Sequence, residues 1–511
     1  MIHVSFYTLG CKLNQCETEA LSDAFRNAGF TVVPPDFTES RGADLYIINT
    51  CTVTSKAEQK ARRMIRLCLR KGGAVLVTGC YAQLEGKALT TLSGKGLFVF
   101  PGRTKDKLLD LPQYLLERID GSPDTLSAAL AQWCQAPGIA GTAGAGGVTG
   151  AVCSDPFRFN PQHFLFHSRP FLKIQDGCDR RCAYCRVPLA RGKSISLSSN
   201  EVLRRLQALE EAGMAEAVLT GVNISQYSDP VGPTDPAGSV GSDRGLPALL
   251  RFLLDNTRRI ALRLSSLEPE LFVDDLGGRA DDFCEILAHE RIRNHFHLSV
   301  QSGSDAVLAA MGRPYRARDV LRGAEKLRAV RDDPFLACDI IIGFPGETEE
   351  DFEKTVLLCR AVDFVGIHAF PYSKRPGTPA AVIKKGLVSQ EAAGKRLGVL
   401  LEAARRGRDA YVRRWQGKVV DAVAESWHAV AAFGFSGTDG QSDFFPFFPA
   451  LTDNYMRVLV SSGRSREKPG SPFAKAGSAL RCRIGMEETA LPDGFDAWAL
   501  LENGKNENRR D

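Results

Sequence analysis

Two long stretches of the chain repeat one pattern: a short apolar run, closed by small or polar residues, followed by a segment of helical period. This alternation constrains the fold more than any other feature, because neighbouring parallel strands can be joined only by long crossovers, usually helical. In the first stretch the runs are "HVSFYTLG", "DLYIINT" and "AVLVTG". The segment "KAEQKARRMIRLCLRKGG" puts Ala57, Ala61, Met64, Ile65, Cys68 and Leu69 on one face and closes with glycines. The pattern predicts an α/β architecture, with a doubly wound parallel sheet in an N-terminal domain over residues 1–115. The second stretch, residues 166–400, carries "PFLKIQ", "EAVLTG", "IALRLSS", "FHLSVQ", "LACDIIIG" and "VGIHAF", separated by helical segments such as "SNEVLRRLQALEEAG". It predicts a partial (β/α)6 barrel, in which chemistry collects at the C-terminal ends of the strands.

The remainder reads differently. Residues 116–165, with the Gly/Ala-rich "APGIAGTAGAGGVTGA", are expected to be a linker or insertion. Another insertion is expected at "DPVGPTDPAGSVGSD". Residues 401–500 start with the basic helix "EAARRGRDAYVRRW" and continue in short alternating runs, "GKVVDAVAE", "NYMRVLVS" and "SALRCRIGME", which predict a small β-barrel. The tail, 501–511, is polar and expected to be disordered.

No apolar run is long enough to span a bilayer, and "MIHVSFYTLG" has neither the basic start nor the cleavage site of a signal peptide. A cytoplasmic protein without a membrane partner is expected. Fourteen cysteines in a reducing compartment point to metal binding or catalysis rather than disulfides. The net charge of +5 permits a polyanionic partner without requiring one.

The sharpest motif is "DGCDRRCAYCRVP". Cys178, Cys182 and Cys185 form a Cys-x3-Cys-x2-Cys set directly after the first barrel strand. Three thiolates from one tight loop can hold three irons of a cubane cluster and leave the fourth open. An open iron can chelate the amino and carboxylate groups of a ligand such as S-adenosylmethionine. No fourth ligand follows at the spacing of a zinc finger.

Together with the aromatic Tyr184, this spacing resembles the radical S-adenosylmethionine enzymes. The strand-end loops "LTGVNISQY", "RLSSLEPE", "LSVQSGSD", "IIGFPGETEEDF" and "FPYSKRPGTPA", taken in order, resemble the catalytic domain of the methylthiotransferases. Each loop alone reads equally well as an ordinary turn. The resemblance implies that Gly221 and Asn223 lie near the methionine moiety and that Gln301 and Ser302 contact the ribose. Tyr184 is counted with these cofactor-binding residues. "VPLARG" matches the family too, so Arg191 is expected to line the site; its plain alternative is a salt bridge.

Cys11, Cys51 and Cys80 each follow a predicted strand, in "TLGC", "INTC" and "VTGC". Strand ends of a parallel sheet share one edge, where doubly wound folds bind ligands. Three cysteines far apart in sequence can thus form a second trio, or they are small residues packed at strand ends. The stretches "GCKLNQCETEA", "NTCTVTSKAEQKAR" and "TGCYAQ" resemble the N-terminal domain of the same family, which implies that this trio holds an auxiliary cluster. Cys16 is expected not to be a ligand. Cys68, Cys338, Cys359 and Cys482 are expected to be core residues.

The resemblance therefore implies two [4Fe-4S] clusters, S-adenosylmethionine, and a reductant protein of flavodoxin or ferredoxin type. Within the family, "LGCKLNQCETEA" is most similar to the group that adds a methylthio group to C2 of N6-threonylcarbamoyladenosine in tRNA, next to the anticodon. The alternatives are isopentenyladenosine in tRNA, an aspartate of a ribosomal protein, a radical enzyme whose second cluster only relays electrons, and a metal-containing RNA-binding protein without enzymatic activity. "VAES" and "LTDNYMRVLV" resemble a TRAM domain. The phenylalanines of "SDFFPFFPA" either stack on bases or fill the barrel. Arg405, Arg406, Arg408, Arg413 and Arg414 either meet phosphates or form a solvated face. Arg186, after the third cysteine of the loop, departs from the apolar residue usual in the family.

Overall fold

The computed structural model describes residues 2–34, 42–92, 96–120, 122–136, 154–231, 244–273, 280–425, 434–436, 442–444, 447–461, 476–485, 491 and 494–502. The first sheet is parallel throughout. Its strands are β1 (His3–Thr8), β2 (Thr31–Val33), β3 (Leu45–Thr50), β4 (Ala74–Gly79) and β5 (Leu97–Val99), in spatial order β2-β1-β3-β4-β5. Helices α1 (Lys12–Asn27), α2 (Ser55–Arg70) and α3 (Cys80–Thr90) follow β1, β3 and β4. β3 and β4 are buried along their whole length, as strands covered on both faces must be. β2 and β5 escape sequence reading because three residues are too few to show a period. Strand order changes direction between β1 and β3, which opens the crevice where such sheets bind ligands.

The segment expected as a linker begins instead as structure. After α4 (Leu111–Leu116), helix α5 (Pro123–Gln135) packs Leu126, Leu130 and Trp133 into the core that holds Phe6 and Ile47. Residues 137–153, with the Gly/Ala-rich run and Cys153, lie outside the described residues, as do most of the second expected insertion and the tail.

The second α/β unit begins with β6 (Phe171–Lys173) and a short antiparallel pair, β7 (Gln175–Asp176) and β8 (Ile195–Ser196), that frames the Cys178–Cys185 loop and α6 (Val187–Arg191). Then come α7 (Ser199–Glu211), β9 (Glu216–Thr220), α8 (Leu246–Asp255), β10 (Ala261–Leu264), α9 (Ala280–Leu287), β11 (His295–Gln301), α10 (Asp305–Ala310), α11 (Ala317–Val330), β12 (Phe335–Ile342), α12 (Glu349–Val362), β13 (Gly366–Pro371) and α13 (Gln390–Trp415). The parallel triplets β10-β9-β6 and β11-β12-β13 are joined by single parallel bridges, Leu262 to Ile292 and Leu267 to Leu298. Six strands thus wrap one apolar core running from Phe157 to Leu400. This is the partial barrel that the alternation predicted.

The third unit comprises β14 (Val419–Ala424), the ribbon β15 (Gly434–Ser436) and β16 (Ser442–Phe444), then β17 (Phe447–Thr452), β18 (Arg457–Ser461), β19 (Ala479–Ile484) and β20 (Ala497–Leu501). β14-β17-β18-β20-β19 close into a small barrel, and Phe448 fills its interior. This barrel docks at the N-terminal ends of the central strands, away from the cysteine loop. Tyr455 stacks on His295 with ring centroids 3.9 Å apart. Arg263 donates to the carbonyls of Thr452 and Asp453, both at 3.1 Å, while paired with the buried Glu216.

The arginines of α13 are largely engaged with carboxylates. Arg405 and Arg406 pair with Glu402, Arg408 with Asp496, and Arg414 with Asp333. The last two lock α13 to its neighbours. Among the described residues no helix is long and apolar enough to cross a membrane.

Candidate functional site

Register brings the first three cysteines together. Thr8 pairs with Asn49, and Asn49 with Thr78. Cys51 and Cys80 each stand two residues beyond that row, and Cys11 three. All three therefore sit on the C-terminal edge of the sheet, around its switch point. Gly10, at φ +110°, makes the approach possible: a Cβ there would fall 2.7 Å from Cys51 Cβ and 3.0 Å from its Sγ. Asn14 braces the same edge, donating from Nδ2 to the carbonyls of Leu9 (2.7 Å) and Thr50 (3.2 Å). Burial, and then the nearness of Cys11 and Cys80, push the Cys51 thiol up to about 12.

The second trio is built by one loop. Backbone N–H groups of Arg180 and Val187 point at Cys178 Sγ and Cys185 Sγ, each at 3.4 Å, and Arg313 reaches Cys182 Sγ at 3.5 Å. Burial pushes the Cys185 thiol up to about 12, and Cys182 and Cys178 add to the shift. Burial raises the Cys178 thiol as well, so Cys51, Cys178 and Cys185 ionise readily only against a cation.

Among the described residues no three His, Cys, Asp or Glu side chains converge where a single ion would sit. The donor sets themselves, three thiols along one sheet edge and three in one loop, suit iron–sulfur clusters.

Of the other expected site residues, Tyr184 sits in the cysteine loop itself, Gly221 and Asn223 follow β9, and Gln301 and Ser302 stand at the end of β11. Tyr184 packs near Val307, Met311 and Phe344, and burial pushes its phenol well above the ordinary range. Gly221 leaves no room for a side chain, since a Cβ would meet Gln175 Oε1 at 2.7 Å. Asn223 accepts from Ser225 N–H (3.1 Å) and donates to Glu268 (3.2 Å), which pairs with Arg313 (3.1 Å). A polar chain therefore runs from Asn223 to Cys182. Gln301 ends β11 with a left-handed φ of +65°, beside a register shift. Ser302 is held in the next turn, near Thr355 Oγ1 (3.3 Å) and accepting from Ser304 N–H (3.2 Å).

Arg191, which ends α6 after the second trio, reaches across to Glu17 and Asn14 of the first domain. Its side chain is nearly covered, pairs with Asp176 (2.9 Å) and Glu17 (3.1 Å), and donates to Asn14 Oδ1 (2.8 Å). Its plain alternative, a salt bridge, is thus present, but buried and between the domains. Glu17 is fully buried and also holds Lys105 and Lys173, the latter at 3.0 Å. Burial alone would raise its carboxyl; Arg191, Lys105 and Lys173 reverse this and hold it well below the usual carboxylate range. Sequence reading missed this network. The signal was present as acidic Glu17 and Glu19 on a helical face that is buried.

Cys16 stands apart from the trio. Its thiol lies 3.2 Å from the Phe171 carbonyl and packs with Phe171 and Val218. Cys16→Ala is expected to leave the iron content of the reconstituted protein unchanged and to cost about 1 kcal/mol in unfolding, the ordinary worth of one hydrogen bond. Iron analysis beside a denaturation curve checks both. Cys68, Cys338, Cys359 and Cys482 are buried in apolar clusters.

Comparison with known proteins bears on the same elements. The family model described as the radical SAM superfamily matches residues 172–359, and that of the uncharacterized protein family UPF0004 matches residues 3–100. The threonylcarbamoyladenosine tRNA methylthiotransferase MtaB of Treponema pallidum is 39% identical, over 96% of this chain and all of its own length. The chain belongs to the radical S-adenosylmethionine methylthiotransferase family. The family's MtaB of Bacillus subtilis is 32% identical over 90% of each chain. A tRNA-2-methylthio-N(6)-dimethylallyladenosine synthase of Sorangium cellulosum is 32% identical over 86% of this chain and 84% of its own. The family's cofactors are S-adenosylmethionine and [4Fe-4S] clusters.

Proposed function

We propose that this protein transfers a methylthio group to C2 of N6-threonylcarbamoyladenosine in tRNA, next to the anticodon, in the cytoplasm. The observation that carries the reading is the end-to-end similarity to the Treponema pallidum enzyme, in a chain that presents both cysteine trios. In this reading Cys178, Cys182 and Cys185 hold the radical-generating cluster, and Cys11, Cys51 and Cys80 the auxiliary one. When bound, these groups and S-adenosylmethionine supply the carbon radical and the inserted sulfur.

The chain's own residues bind, orient and exclude water. Tyr184 shields the radical-generating trio, and Arg313 donates to it. Gly221 admits the ligand close to the backbone, while Asn223, Gln301 and Ser302 supply neutral hydrogen-bonding groups at strand ends. Arg191 fixes the loop of one trio against the other. A reductant protein of flavodoxin or ferredoxin type delivers the electrons.

Mass spectrometry of tRNA nucleosides from a strain lacking the gene tests the substrate. The methylthio form of threonylcarbamoyladenosine is expected to vanish, with its unmodified parent accumulating. Persistence of that form, with loss of a methylthio isopentenyladenosine, would overturn the substrate assignment.

A further inference from the structure

At the boundary between the first sheet and the barrel, two guanidiniums from the barrel close on one carboxylate of the first domain. Arg375, in the loop after β13, is only 3% exposed. It pairs with Glu58 and donates to Thr52 Oγ1 (3.2 Å) and Ser55 Oγ (3.1 Å). Arg186 lies 3.5 Å from the same Glu58 oxygen, donates to Glu85 at 2.8 Å, and reaches Thr52 Oγ1 at 3.5 Å. The Thr52 hydroxyl donates to Glu58 at 2.6 Å.

The positions of these residues give the node its meaning. Thr52 follows Cys51, and Arg186 follows Cys185. One contact, with one residue on either side, therefore spans from one trio to the other. Helix α2 is pinned at the same place: Ser55 N–H donates to Ser373 Oγ at 2.9 Å. The interface has other attachments, including the Glu17 network and the packing of Cys16 on Phe171 and Val218, so the node is not needed merely to keep the domains together. Buried ion pairs add little net stability, and their best-attested use is to fix registry. The guanidinium fork of Arg375 suits that use, because its donors have a rigid planar geometry.

We propose that Glu58, clasped by Arg375 and Arg186, is a positioning residue that sets the separation of the two cysteine trios. This rests on the reading that both trios hold clusters and that sulfur from one side meets a carbon activated at the other. Each trio is built by its own loops, so a loosened node leaves each able to load. It also leaves cleavage of S-adenosylmethionine intact. What it removes is the coupling of that cleavage to product, since a displacement of about 1 Å can cost about a hundredfold.

The test uses the full-length protein, reconstituted anaerobically, beside Glu58→Gln and Arg375→Lys. Three quantities are read: iron per chain, the magnetic interaction between the two reduced clusters by pulsed electron paramagnetic resonance, and the ratio of 5′-deoxyadenosine to methylthio nucleoside. Parental iron, an altered magnetic interaction and a ratio raised by up to about a hundredfold are expected. An unchanged interaction and an unchanged ratio would overturn the proposal. If Glu58→Gln fails to fold, Arg375→Lys, which keeps the charge and loses the fork, carries the test. Loss of iron from both would also overturn it, since the node would then serve assembly rather than spacing. A parent protein that makes no methylthio nucleoside speaks against the proposed function instead, and the magnetic comparison still decides the role of Glu58.

Discussion

Cys51→Ala is expected to lower the iron content of the reconstituted protein from about eight to about four per chain, two cubane clusters becoming one. Cleavage of S-adenosylmethionine to 5′-deoxyadenosine should continue, because Cys178, Cys182 and Cys185 come from a different loop of a different domain. Formation of the methylthio nucleoside should fall below detection. Cys51 is the most telling of its trio: it is buried, whereas Cys11 is exposed and Cys80 intermediate. Its loss opens the centre of the site rather than its rim. Iron analysis and nucleoside chromatography on one preparation give all three values. Undiminished iron would remove Cys51 from the ligand set.

The second large effect is structural. Glu17→Gln is expected to destabilise the protein by about 3–5 kcal/mol, the range for breaking a buried ion pair from one side. The carboxylate meets Lys105, Lys173 and Arg191 at the boundary between the first sheet and the barrel. Removing it leaves three buried cations with Asp176 as their remaining carboxylate in the network. The pH dependence has a definite sign. Glu17 and Asp176 are both held below their ordinary values in the folded chain. Their contribution is therefore full above the ordinary carboxylate range and is lost as the pH falls through their lowered values. Thermal unfolding of the cluster-free protein should show a lower midpoint for Glu17→Gln at neutral pH, and a shallower loss of stability in acid. An unchanged midpoint would show that the network contributes no stability.

Much of the fold was legible because it rests on periodicity. β3 and β4 are apolar from end to end, and the amphipathic face of α2 follows from Ala61, Ile65 and Cys68. Parallel pairing then places three strand ends side by side, so Cys11, Cys51 and Cys80 were readable as a set without any local motif. The short strands β2 and β5 and the packed helix α5 were not read, the strands for want of length and the helix because it borders a Gly/Ala-rich run.

What the sequence could not show is how the domains meet. Glu17, Arg186, Arg191 and Arg375 pair with residues far away in the chain, and no spacing rule links them. Arg186 had stood out only as a departure from an apolar position. The structure accounts for it through Glu58 and Glu85. The arginines of α13 show the converse. Their spacing allowed phosphate contact, but Arg408 and Arg414 bind carboxylates of neighbouring elements.

The central claim is that this one chain makes the radical, supplies the sulfur and acts on threonylcarbamoyladenosine. It is tested most directly by incubating the purified, reconstituted protein with tRNA bearing that nucleoside, S-adenosylmethionine, a reductant and isotopically labelled sulfide, followed by mass spectrometry of the nucleosides. The account predicts a methylthio group at C2 of threonylcarbamoyladenosine, with 5′-deoxyadenosine formed alongside. Formation of 5′-deoxyadenosine with no sulfur in the nucleoside, while tRNA bearing isopentenyladenosine is converted under the same conditions, would contradict it.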